Sequence, residues 1–325
     1  MSSVAVVESQ VKMRTSVEYN GMELVVPILL KYEEVNNFQD LLQKIQQIKE
    51  NMETYSSIIV LNEQTDFEKY VEDIQKKEKI IIKSNYITKF RELIKNSSNF
   101  NSNNIKCIYI SGKINKHQKI EELNKNLKKI ETKSDIYVEF INGQICGVSI
   151  KQSKDATKSN YSVHKLLGQI LGQDYEVNLN NIKKKYLNDN GIVNFDKNER
   201  VKVNKLFYSQ NKNNIYWEEL RETFISKESD ISKKLVELLY CSNINYDVYE
   251  YDGETFEKMN NLNKNTFSLI QFKEHQPYYF DTKGKERNAA KMFYRLSIND
   301  KNYRVEIRWK GNIYNSSPQF QIHNE

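Results

Sequence analysis

Two runs of strict apolar and polar alternation, separated by Asn142-Gly143-Gln144, constrain this chain more than any other feature. Asp135 to Ile141 and Ile145 to Gln152 repeat with period two, the period of a strand whose successive side chains point to opposite faces. The short glycine-containing link predicts an antiparallel hairpin. A two-residue Asn-Gly turn pairs Ile136 with Ser149 and Asp135 with Ile150, which mixes polar and apolar side chains on both faces. Centring the turn on Gly143 instead pairs Ile136 with Ile150, Val138 with Val148 and Phe140 with Cys146, and sets Asp135 against Lys151 and Tyr137 against Ser149. One face then becomes wholly apolar. Its burial, at roughly 1.5 to 3 kcal/mol per large side chain, outweighs the preference for a tighter turn, so the longer loop is the expected register.

Ser162 to Gly172 changes period. Val163, Leu166, Leu167, Ile170 and Leu171 fall at i, i+3, i+4, i+7 and i+8, which predicts a helix packed back on the apolar face of the hairpin. Ahead of the hairpin, Ile105 to Ser111 reads as a strand and Lys116 to Glu131 as a helix with Ile120, Leu123, Leu127 and Ile130 on one face. Asn36 to Met52, Glu68 to Gln75 and Tyr86 to Ile94 are amphipathic helices, followed by the polar connector Ser97 to Asn104. Downstream, Glu228 to Tyr240 reads as a helix. Arg304, Glu306 and Arg308 alternate with Val305, Ile307 and Trp309, and Gln319 to His323 adds a second short run, so the chain is expected to end in a hairpin. The division is a mostly helical region over 1–104, a core over 105–180 and a C-terminal region over 181–325. The fold class expected is α/β, a mixed central sheet flanked by helices.

Composition narrows the setting. No apolar run reaches the ~18 to 20 residues needed to cross a bilayer, and the first residues carry no basic segment followed by an apolar stretch. A cytoplasmic protein with no membrane partner is expected. The three cysteines, Cys107, Cys146 and Cys241, are scattered and odd in number, which argues against a disulfide framework or a zinc site. With 49 basic against 43 acidic residues, the net charge of +6 permits a polyanionic partner without requiring one. An AT-rich coding sequence, which enriches Lys, Asn, Ile and Tyr, accounts for the same basicity.

On the polar face of the expected hairpin a carboxylate, Asp135, and a lysine, Lys151, stand side by side, with Ser149 two residues before the lysine. Phosphodiester hydrolysis uses such a set: the carboxylate holds a divalent ion against the phosphate, and the lysine orients or deprotonates the attacking water. The alternative is a cross-strand ion pair on a solvated face. Gln152, Lys154, Lys158, Ser159 and Asn160 follow at the entry to the next helix, where amine, hydroxyl and amide donors suit a phosphate backbone. Ordinary capping by Ser162 or Asn160 is the competing account there.

Helix, strand opening with Asp135, strand ending in Ser149-Ile150-Lys151, then helix: this order resembles the PD-(D/E)xK nuclease superfamily of type II restriction endonucleases. The stretches Ser149-Ile150-Lys151-Gln152-Ser153 and Ala156-Thr157-Lys158-Ser159-Asn160-Tyr161 extend the likeness, which covers about residues 116–172. The resemblance implies a restriction-endonuclease-like core, Mg²⁺ as cofactor, a metal-binding role for Asp135 and a catalytic role for Lys151. It also implies double-stranded DNA as substrate. A homodimer would match the two-fold symmetry of a palindromic target. Ser149 departs from the pattern, which most often has Glu or Asp there. Some restriction enzymes use Ser at this position and recruit a glutamate from a helix. The preceding helix offers Glu121, Glu122 and Glu131, of which Glu131 borders the apolar face and is the expected ligand.

Target recognition is expected outside the core, from Lys285, Arg287 and Asn288 and from Arg304 and Arg308, since Arg and Asn read purine edges in the major groove. Other sites fail on their residues. His117-Gln118-Lys119 begins like a phospholipase D type of motif, but Asn124 occupies the aspartate position. Gly112-Lys113 lacks the upstream glycine of a phosphate-binding loop. His164 falls at the edge of its helix's apolar face, as a packing residue. Two further functional classes remain open to the sequence: a non-catalytic nucleic-acid-binding protein with a decayed metal site, and a repair or RNA-processing nuclease.

Overall fold

The computed structural model describes residues 19–95, 100–111, 117–127, 134–151, 157, 159–194, 197–209, 211–259, 270–274, 290–298 and 301–325. Its first sheet has six strands. The short β1 (Ile59–Val60) runs parallel to β2 (Ile105–Ile110), and β2, β3 (Ile136–Phe140) and β4 (Ile145–Ile150) form an antiparallel meander. A distant segment, β6 (Val248–Tyr251), then joins β4 in parallel, and β7 (Phe256–Lys258) closes the edge antiparallel to β6. This is the expected mixed sheet in an α/β chain.

The expected hairpin forms, but its register differs by two residues. Ile136 faces Val148 and Val138 faces Cys146, rather than Ile150 and Val148, and Tyr137 faces Gly147 rather than Ser149. Phe140 and Gln144 close the turn, with Phe140 N donating to Gln144 O at 2.9 Å, so the loop is Ile141-Asn142-Gly143. The third residue of such a loop takes the left-handed conformation. Gly143 does so at φ +84, whereas the expected register would have forced Gln144 into it. A shift of two preserves the faces. Ile136, Val138, Val148 and Ile150 are all buried together, at the expense of leaving Ile141 exposed in the loop.

That apolar face packs on the N-terminal helices: α1 (Met22–Lys31), α2 (Phe38–Glu50), α3 (Met52–Tyr55), α4 (Asp66–Lys76), α5 (Glu78–Lys83) and α6 (Tyr86–Lys95). The helices expected around residues 36–52, 68–75 and 86–94 are α2, α4 and α6, each burying its apolar stripe in the core shared with the sheet. Helix α1 has no comparable stripe because Leu24 to Leu30 are buried on every side. The buried Arg91 ties down its C-terminal end, donating to Leu29 O in the last turn, to Tyr32 O at the cap and, at 2.8 Å, to Val35 O in the following loop. The opposite face of the sheet is covered as well. There α7 (Gln118–Asn124) places Ile120 in a smaller core with Tyr137, Cys241, Ile244, Tyr246 and Val248.

A second sheet was not anticipated. Strand β5 (Ser159–Ser162) leaves the first sheet altogether and pairs antiparallel with β11 (Gln319–Asn324). The order continues through β10 (Lys301–Arg308), β9 (Lys291–Ile298) and β8 (Ile270–Glu274). The expected terminal hairpin is β10 with β11, Arg304 facing His323 and Arg308 facing Gln319. The helix after β5, α8 (Val163–Leu171), follows its strand. Val163, Leu166 and Leu167 therefore pack against the second sheet, not on the hairpin as expected. They share that core with α9 (Gln173–Asp189), α10 (Arg200–Leu206), α11 (Ile215–Ser226) and α12 (Glu228–Leu239). No helix among the described residues is long and apolar enough to cross a membrane.

Candidate active site

Position 135 sits where the ladder between β3 and β4 becomes irregular. Asp135 N donates to Val148 O at 2.9 Å, and the next donor on β4, Ile150 N, is taken at 2.6 Å by the Asp135 carboxylate instead of a main-chain carbonyl. On the other side Ser111 N and Ser111 Oγ both donate to Asp135 O, at 3.1 and 3.0 Å. The residue is held from both flanking strands. Gly147 contributes by having no side chain: a Cβ there would lie 1.9 Å from Ser134 Oγ and 2.8 Å from Ser134 Cβ. Ser134 can therefore fold over β4 and direct the chain into Asp135.

Ser149 lies beside Asp135 on β4, and the parallel register of β4 and β6 sets Glu250 directly opposite Ser149. Asp135, Ser149 and Glu250 thus form a row across three adjacent strands, at the end where parallel β4 and β6 both terminate. Ser149 and Glu250 are 1 % and 4 % exposed. The Ser149 hydroxyl is buried and lies near the Asp135 carboxylate, and among the described residues it makes no hydrogen bond of normal length and angle. Burial raises the Asp135 carboxyl above its ordinary value; Lys151, the Ile150 N–H and the nearby Ser149 hydroxyl pull it back, and Glu250 adds to the rise.

Lys151 follows β4, its backbone N donating to Tyr251 O at 2.6 Å. Among the described residues it forms no ion pair with Asp135, although its charge is felt there. The cross-strand ion pair on a solvated face is therefore not the arrangement that forms. A real structural pair exists elsewhere on the strand. Glu139 is buried and accepts from Lys119 at 2.7 Å, Lys106 at 2.9 Å and Tyr109 Oη at 2.8 Å.

The remaining sequence candidates separate into three groups. Glu131, Gln152, Lys154, Lys158, Lys285, Arg287 and Asn288 lie outside the described residues. Ser159 and Asn160 belong to β5 rather than to a loop, and Asn160 Oδ1 accepts from Gln321 Nε2 at 3.4 Å. Ser162 is the helix cap, accepting from Lys165 N at 3.3 Å. Arg304 and Arg308 share one polar face of the second sheet, where both lie within ion-pair reach of the buried Glu306, at 3.5 and 3.7 Å. Glu121 and Glu122 are exposed on α7, and His164 is a buried packing residue bonded to Tyr216 Oη at 2.7 Å.

Arg308 also lines a groove of about 700 Å³ with Arg200, Lys291, Lys310, Asn194 and Asn312. Burial first, then the charges of Arg308 and Lys151, holds the groove's Lys310 ammonium below its ordinary value, so Lys151 at the end of β4 lies within electrostatic range of the groove. Glu250, Arg200, Lys291 and Lys310 were not singled out from the sequence. For Glu250 the available signal was the alternation of Val248, Glu250 and Asp252 with Tyr249 and Tyr251.

Among the described residues no group of three or more His, Cys, Asp or Glu side chains is arranged to hold a metal ion. The row offers two carboxylates and a hydroxyl. All three are oxygen donors, the set a hard cation such as Mg²⁺ accepts alongside water, and the unsatisfied Ser149 hydroxyl between the carboxylates fits such an occupant. Comparison with known proteins finds no matching family model, no matching curated protein and no matching solved structure.

Proposed function

We propose that the chain is a Mg²⁺-dependent endonuclease that hydrolyses phosphodiester bonds of double-stranded DNA in the manner of a type II restriction enzyme. The observation that carries this reading is the enclosed Asp135 with Lys151 close enough for its charge to act on the carboxylate, at the strand ends and within electrostatic range of a cationic groove. Helix α7, strands β3 and β4 and helix α8 keep the chain order on which the PD-(D/E)xK resemblance rests, although α8 packs on the second sheet. The groove's arginine and lysines suit the sugar-phosphate backbone, which supplies most of the affinity for DNA. Arg304 lies on the same face of β10 as the groove's Arg308.

When bound, the magnesium ion supplies a Lewis acid to the scissile phosphate. Asp135 would hold it, its carboxylate kept in place by the Ile150 N–H. Lys151 orients the attacking water and offsets charge as its oxygen bonds to phosphorus and the phosphorus bond to the leaving oxygen breaks. The attacking water gives up one proton to solvent and the leaving oxygen takes one up, so a phosphomonoester and a hydroxyl end result. Incubation of purified protein with varied plasmid DNA and Mg²⁺, followed by gel analysis, tests the reading: discrete bands are expected. Retained binding without cleavage across DNA, RNA and divalent metals points instead to a non-catalytic binding protein. Size measurement with and without a cut site tests the homodimer.

A further inference from the structure

Ser149 leaves the expected pattern one carboxylate short, and β6 delivers one from outside the hairpin. We propose that Glu250 is the second metal-holding carboxylate, so that a divalent hard cation is held between Asp135 and Glu250 with the Ser149 hydroxyl facing it. This deepens the nuclease reading and rests on it for the substrate, though not for the ion. Three independent observations converge. Glu250 is locked opposite Ser149 by the parallel ladder, and its neighbours in register are fixed from Gly147↔Val248 to Ile150↔Tyr251. It is almost wholly buried, on the same sheet face as Ser149. Finally, Ser149 Oγ sits in the strand between the two carboxylates, buried and, among the described residues, without a hydrogen bond of normal length and angle.

The neighbouring acid on the same strand makes the contrast. Asp252 is equally buried, but its Oδ1 accepts from Thr255 N at 2.8 Å and from Glu254 N and Thr255 Oγ1 at 3.1 Å, so it builds the turn into β7. Glu250 borders a cleft of about 530 Å³ between β6, β7 and the ends of β10 and β11, which gives a hydrated ion a way in. A position on a rigid central strand would set the second carboxylate more firmly than a helix surface does.

Metal binding can be read without cleavage, by titrating Mn²⁺ and following the free ion by electron paramagnetic resonance. The unmodified protein is expected to bind one Mn²⁺, Glu250→Gln to bind at least tenfold more weakly, and Ser149→Glu added to Glu250→Gln to recover affinity. Thermal melting with and without Ca²⁺ monitors the fold; should Glu250→Gln fail to fold, Glu250→Asp keeps the charge and is still expected to weaken Mn²⁺. Glu250 variants that fold and bind Mn²⁺ like the unmodified protein overturn the proposal, and so does an unmodified protein that binds no Mn²⁺. The two readings separate cleanly. Mn²⁺ lost with Glu250 in a protein that cuts no nucleic acid keeps this site and rejects the nuclease. Mg²⁺-dependent cleavage that survives in Glu250→Gln keeps the nuclease and rejects this site.

Discussion

The two ends of β3 carry a carboxylate each, and they are opposites. At one end Glu139 is buried yet fully matched: hydrogen bonds from Lys119, Lys106 and Tyr109 hold its carboxyl down at about 2 despite the burial. At the other, Asp135 is enclosed with the Ile150 N–H and the nearby Ser149 hydroxyl and, among the described residues, no ion pair, and its carboxyl is raised. A carboxylate surrounded by its own cations is spent on structure. One held above its ordinary value by burial and a second acid is poised to gain from an incoming cation. The difference separates the candidate site from a superficially similar ion-pair cluster on the same sheet face.

The largest expected effects test the Asp135 end. Asp135→Asn and Lys151→Ala should each lower DNA cleavage on the order of 10²-fold or more, with thermal melting little changed. Neither removes an apolar side chain from the core. Ser149→Ala should cost less. Full cleavage by both variants would make Asp135 as structural as Glu139. Gly147→Ala comes next, because its Cβ meets Ser134 at 1.9 Å and must displace the residue before Asp135. A loss of about 1 to 3 kcal/mol by denaturant titration, with reduced cleavage, is expected for such overpacking. An unchanged midpoint would show that Ser134 is free to move.

The Glu139 end is tested by stability and pH. Glu139→Gln should destabilise by about 1 to 2 kcal/mol, after allowance for the solvent exposure of Lys106 and Lys119. Because the folded value lies below the unfolded one, this contribution is present above pH 4.5 and is lost as pH falls towards about 2. The melting curves of Glu139→Gln and the unmodified protein should therefore converge over that window. Asp135 has the opposite sign: its raised value favours the protonated fold, a contribution present below its ordinary 3.8 and lost as pH rises. Asp135→Asn should be neutral or stabilising at neutral pH, and equal destabilisation by both substitutions breaks the comparison. The smallest effects belong to the groove. Arg200→Ala and Lys310→Ala should each weaken DNA binding a few-fold and lower the slope of log affinity against log salt by about one. Unchanged slopes would place the DNA elsewhere.

Much of this was legible locally. The stripes of α2, α4, α6 and α12 and the alternation of the terminal hairpin needed no partner to be read, because a helix or strand buries one periodic face whatever covers it. The hairpin shows where such reading stops. Period two excluded the Asn-Gly turn of odd offset, yet it cannot distinguish registers that differ by two, since both bury Ile136, Val138, Val148 and Ile150. The left-handed turn residue decided between them, and Gly143 can take that position while Gln144 cannot do so cheaply.

By itself the sequence determined that the aliphatic residues Ile136, Val138, Val148 and Ile150 would share one side of the hairpin, opposite Tyr137. Tertiary structure decided what those sides face. The polar side is covered by Ile120 of α7, which packs there with Tyr246, β5 and α8 depart to a second sheet, and Glu250 arrives beside Ser149. The physical reason is range. Side-chain alternation is a property of one strand, whereas parallel pairing between β4 and β6 joins segments whose contact is set by loop closure and packing, and neither segment's own pattern names its partner.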